Sequence, residues 1–198
     1  MTTLFSPSPQ AAWYKRPLTD YAFAAALLAA TLWALIAYPK MDGYDQGVFM
    51  GVTLGAVALA WAWRPLQLLG MTVAAATVLA TGLYAGNIAN AQSNFLLKYL
   101  FSSQSAILWM CTAFVMALVA YWFGLLFKKP RALWTGTALT WVGLAFGFTG
   151  LLVRWVESHL MGVDIGRIPV SNLYEVFVLF ALITAGFYLY FEIGRAHV

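Results

Sequence analysis

The residues of this 198-residue chain that could do chemistry gather between positions 154 and 175. Arg154 and Glu157 are three apart, as are Asp164 and Arg167, a spacing that lets opposite charges meet on a helical turn. The polar run Gly166–Glu175 opens directly into the apolar segment Val176–Phe191. A carboxylate at the mouth of a membrane span is costly to desolvate and is kept there by a partner or a role, so Glu175 marks a point where something polar is held or recognised. Ser171 and Asn172, followed by Glu175, also fit a helix N-terminus with a capping side chain and an acid in the first turn. That local account covers Ser171 and Glu175 without invoking function, and leaves Tyr174 facing either the bundle or the outer side.

Other reactive types are sparse. His159 sits alone in the same region, and a lone histidine is more often a solvated loop residue than a ligand. Cys111 lies inside an apolar run with no partner for a disulfide or thiolate metal site, so it reads as a small buried hydrophobe. No zinc spacing, nucleophile elbow, phosphate loop or catalytic carboxylate pair occurs. No catalytic residue and no metal set is therefore assigned.

The elements that must position these residues are membrane helices. Charged residues are only 9% of the chain and apolar ones 63%, whereas a soluble domain is about a quarter charged. The fold class is all-α, a polytopic transmembrane bundle. A span needs about 20 apolar residues, and six candidates lie near 21–38, 47–63, 66–84, 105–127, 133–153 and 172–191. Residues 1–20 form a polar N-terminal tail, and the apolar stretch after it reads as an uncleaved signal anchor. Only Arg64 and Pro65 separate the second and third spans, which suggests a tight antiparallel hairpin. Phe95–Phe101 reads as a short interfacial helix, and Arg154–Glu175 as an external loop.

The basic residues are scattered and follow topology, which excludes a nucleic-acid partner. A cytoplasmic N-terminus puts Lys15, Arg16, Arg64, Lys128, Lys129 and Arg131 inside, against Lys40, Lys98, Arg154 and Arg167 outside. The positive-inside bias favours that assignment. Gly47, Gly51 and Gly55 with Ala58, and again Gly143 and Gly147, make smooth faces for close helix approach. They pack either within the chain or against a partner.

The string Pro169-Val170-Ser171-Asn172-Leu173-Tyr174-Glu175 resembles the signature of the System II cytochrome c biogenesis permeases, the CcsA/CcsB/ResC-type heme-handling proteins. Leu97–Met110 and Gly147–Trp155 resemble the proteobacterial branch of that family. The resemblance implies a multi-pass bacterial inner-membrane subunit of a cytochrome c synthase (heme lyase) that conveys heme outward and presents it to apocytochrome c beside a ResB-type partner. It casts Pro169, Ser171, Asn172, Leu173, Tyr174 and Glu175 as framework of the heme site. Arginine forks suit carboxylates, so Arg154 and Arg167 become candidate contacts for heme propionates, with plain ion pairing as the alternative. The family's tryptophan-rich Trp-Asp motif and its heme-ligating histidines follow the signature and are not in this sequence.

Residues 192–198, Glu-Ile-Gly-Arg-Ala-His-Val, read back into codons as a common sequencing adapter, so they are expected not to be native. A chain ending there is expected to retain no heme and to lack the synthase activity. Two other classes compete: a small-solute transporter and a non-catalytic membrane scaffold. Against the transporter stands the lack of any ionisable residue deep in a span and of broken helices in paired repeats.

Overall fold

The computed structural model describes residues 17–37, 43–162 and 168–195. Among them every regular element is helical: α1 (Leu18–Ala37), α2 (Gly43–Ala62), α3 (Pro65–Tyr84), the short α4 (Asn90–Ser93), a π-helical turn (Leu97–Phe101), α5 (Ser103–Leu126), α6 (Pro130–Met161) and α7 (Leu173–Arg195). In lipid, backbone groups have no partner outside their own helix, and each of the six apolar segments accordingly becomes one. Helices α3, α5, α6 and α7 are long and apolar enough to cross a membrane, while α1 and α2 carry the shorter apolar stretches Leu18–Trp33 and Gln46–Ala62. The fold divides after Gln67 into two compact units.

In the first unit α1 packs on α2. The hydroxyls of Thr31 and Thr53 lie 2.9 Å apart between the helices, both buried. Helix α1 begins at Leu18, so Asp20, expected as the last residue of the N-terminal tail, lies in the first helical turn. It is buried, with Oδ1 accepting from Gln67 Nε2 at 3.0 Å and its carbonyl accepting from Trp61 Nε1 at 3.2 Å. Removing a buried acceptor strands its donor, at roughly 1–3 kcal/mol. Asp20→Ala is therefore expected to lower the unfolding midpoint in mixed micelles and Asp20→Asn to lower it less; an unchanged midpoint for the alanine variant would remove the carboxylate from any holding role.

A Cβ built at Gly47, Gly51 or Gly55 would meet nothing within 4 Å. That small-residue face thus takes no part in packing among the described residues. Gly143 and Gly147 differ: the first lies against the Phe114 ring, the second against Met110 and Leu182. The close approach expected of these two glycines is made within the chain.

The second unit is built on the α5–α6 seam. Along α6 the positions Gly136, Thr140, Gly143, Gly147 and Gly150 are spaced four and three apart, and all are buried. This is the seam periodicity of two closely packed helices, and small residues there let α5 approach. Helix α5 meets it with Ala106, Ile107, Met110, Ala113 and Ala117. Cys111, one residue off that face, is exposed, against the expectation of burial: one step along a helix turns a side chain by about 100°. Helix α7 packs on α6, with Leu182 reaching Gly147.

Phe95–Phe101 does form the short helical element expected between spans. Its Leu97 is buried, while Phe95 and Tyr99 are exposed with ring centroids 5.0 Å apart. The largest departure concerns the fifth span, expected to stop at Val153. Helix α6 runs on to Met161, 32 residues in all, or about 48 Å against about 30 Å of hydrocarbon. Arg154–Met161 is thus a helical extension with room to stand beyond the apolar layer, not the start of a loop.

Candidate functional site

The extension carries the seam spacing onward. Arg154 follows Gly150 by four and Glu157 follows Arg154 by three, so both lie on the face that the glycines use to meet α5. Glu157 is consequently buried, at 6% exposure, against the expectation of an external loop.

Four groups converge on its carboxylate. Tyr84, the last residue of α3, donates its hydroxyl to Oε1 at 2.5 Å. The backbone N–H of Ser103 donates to Oε1 at 2.9 Å, and the Ser103 hydroxyl donates to Oε2 at 2.5 Å. Ser103 opens α5 behind the cap Ser102, so its N–H is one of the helix's otherwise orphaned donors. A carboxylate at a helix N-terminus also gains from the helix dipole. Arg154 Nη1 stands 3.8 Å from Oε2. Buried charge is tolerated only when paired and hydrogen-bonded, and here both oxygens are engaged.

Arg154 links this carboxylate to a second one. Its Nε lies 3.5 Å from Glu175 Oε1, and Glu175 is also buried at 6% exposure. Glu175 Oε2 accepts from the backbone N–H of Asn172 at 3.3 Å, while Asn172 Oδ1 accepts from the N–H of Tyr174 at 3.2 Å. This reciprocal pattern is a capping box. The cap that the sequence suggested is present, and Asn172 rather than Ser171 supplies the side chain. Through Arg154, the start of α7 is tied to α6, α5 and the end of α3.

The other expected site residues are less enclosed. Ser171, Asn172, Leu173 and Tyr174 are exposed and Pro169 is half-buried; Tyr174 thus faces outward. Arg167 and Asp164 lie outside the described residues. His159 is half-buried, with Nδ1 3.0 Å from the Trp155 carbonyl and its ring edge-on to the Trp155 ring. Among the described residues no cluster of three or more His, Cys, Asp or Glu side chains could hold a metal.

A carboxylate whose oxygens already accept three hydrogen bonds is poorly placed to act as a base, and well placed to fix helix ends. From sequence Tyr84 reads only as an interfacial aromatic at a span end, and Ser103 carries no distinctive pattern, so neither announces the joint. The four-three spacing through Arg154 and Glu157 was a usable signal for the buried pair.

The fold and this joint define an all-α, helical membrane protein whose buried ionic cluster gathers four helices at one end. No family model, curated protein or solved structure matches the chain.

Proposed function

We propose that the chain is the framework part of a System II cytochrome c synthase subunit in a bacterial inner membrane, with the Lys128–Arg131 turn cytoplasmic. In this reading the whole protein conveys heme to the outer face and presents it to the Cys-x-x-Cys-His motif of apocytochrome c, beside a ResB-type partner. The observation that carries the proposal is the Pro169–Glu175 segment: the residues that resemble the family's signature start α7 through a capping box, and its acid is held by Arg154.

The described residues do not by themselves fit a heme pocket. Arg154 is bracketed by two carboxylates, so a propionate would have to displace one of them, and the Nδ1 edge of His159 lies against a backbone carbonyl. The chain's contribution is accordingly positional. It holds the ends of α3, α5, α6 and α7 together, so that the exposed Ser171, Leu173 and Tyr174 are presented from a fixed helix start.

The test is complementation. The gene, taken at its genomic length, is expressed in a strain lacking its own System II permease, and holocytochrome c is read by heme-peroxidase staining. Restored staining is expected, with a marked loss in Arg154→Gln at equal protein level. Staining no higher than the empty vector, with the protein present in the membrane, would end this reading.

A further inference from the structure

One flank of the α5–α6 seam is left open. An almost wholly apolar furrow of about 430 Å³ lies there, bordered by Met116, Val119 and Phe123 of α5 and by Ala132, Thr135 and Leu139 of α6. Met116 and Leu139 also border a second apolar hollow, of about 310 Å³, which extends the furrow toward Trp109 and Phe146. No residue of α7 borders either one. From Trp109 to Phe123 the path measures about 20 Å at 1.5 Å per residue, and both walls belong to helices apolar enough to cross the membrane.

At one end of this furrow is the α5–α6 turn, where Lys128, Lys129 and Arg131 are all exposed. The ion pairs among the described residues involve Arg64 and Arg154 and none of these three cations. The turn is well fixed. Lys128 takes a left-handed φ of 50°, and the Lys129 N–H bonds back to the Gly124 carbonyl at 3.0 Å, the closing bond of a Schellman motif. Pro130 then begins α6 at once.

A chain-shaped apolar slot between two membrane-length helices, with a turn of three exposed cations at one end, is complementary to a molecule with one long hydrocarbon arm and a negative head. We propose that this furrow binds an acyl chain of an anionic phospholipid whose phosphate rests on Lys128, Lys129 and Arg131. The slot supplies dispersion contact along the chain, and the basic turn supplies the preference for negative headgroups, to which each Lys or Arg near the surface adds. The furrow belongs to neither the ionic joint nor the signature segment, so the assignment stands apart from the heme reading.

Native mass spectrometry of the full chain, released from detergent and titrated with phosphatidylglycerol or phosphatidylcholine of identical acyl chains, tests it. At low salt phosphatidylglycerol is expected to bind tighter by on the order of a hundredfold, and the combined variant Lys128→Gln, Lys129→Gln, Arg131→Gln should bring the two lipids near parity. Ala132→Phe or Thr135→Phe, two ways of filling the furrow, should weaken both lipids while leaving the helical circular-dichroism spectrum unchanged. Equal binding of the two lipids by the unaltered chain would overturn the proposal. So would phosphatidylglycerol binding undiminished in both furrow-filling variants, or a co-purifying polypeptide that neither lipid displaces, which would give the furrow to a partner helix.

Discussion

Glu157→Ala is expected to be the most destabilising single side-chain truncation at the ionic joint, at roughly 3–5 kcal/mol, the range for removing one partner of a buried charge pair. The variant strands the Tyr84 hydroxyl, the Ser103 hydroxyl and the Ser103 N–H, and leaves Arg154 with Glu175 alone. Glu175→Ala removes less: one long contact to an arginine whose side chain is 34% exposed, and one cap bond to Asn172. Losing a cap costs about 1 kcal/mol, and the partly wet ion pair adds a screened fraction of that. Reversible unfolding in mixed micelles should therefore rank Glu157→Ala well below Glu175→Ala. In an external loop, where the sequence places Glu157, its ion pair with Arg154 would contribute under about 1 kcal/mol. Equal midpoints for the two variants would show that the joint does not hold the helices together.

Gly147→Leu should separate α7 from the α5–α6 seam. Even a single added carbon at this position would collide with the side-chain ends of Met110 and Leu182, on the other two helices, which must swing aside, and leucine's three further carbons add bulk where those side chains already pack. Overpacking of this kind costs about 1–3 kcal/mol and occasionally more, and the upper end is expected where three helices meet. Gly51→Leu is the matched control, since a Cβ there meets nothing within 4 Å. A small or favourable change is expected, because glycine is the poorer helix former. Unfolding midpoints compared by circular dichroism decide the matter; a Gly147 variant as stable as the Gly51 variant would mean that α7 does not depend on this contact.

Much of the architecture was legible because hydropathy and helix formation coincide in lipid: all six apolar segments became helices. The errors fall where the two part company. Hydropathy drops at Arg154, so the fifth span was ended there, yet a helix needs only its own hydrogen bonds to continue past the apolar layer. The capping box was readable from the Asn172-to-Glu175 spacing, as local chemistry should be. The partners of Glu157 were not, since Tyr84 and Ser103 lie 73 and 54 residues away in the chain and only packing brings them together. Cys111 was misjudged because an apolar neighbourhood in sequence does not say which face of a span looks inward.

Those separations also set an order of assembly. Tyr84 and Ser103 precede Glu157, so during synthesis the ends of α3 and α5 are made before the carboxylate that joins them exists. At about 5–20 residues per second, the Tyr84 hydroxyl waits on the order of 4–15 s for its acceptor. The joint therefore closes late, after α6 has been threaded, and the last helix to arrive, α7, is latched by the same arginine through Glu175. A ribosome stalled before residue 157 would leave α1, α2, α3 and α5 made but unclasped, a state in which quality-control proteases have access to the ends that the finished protein hides.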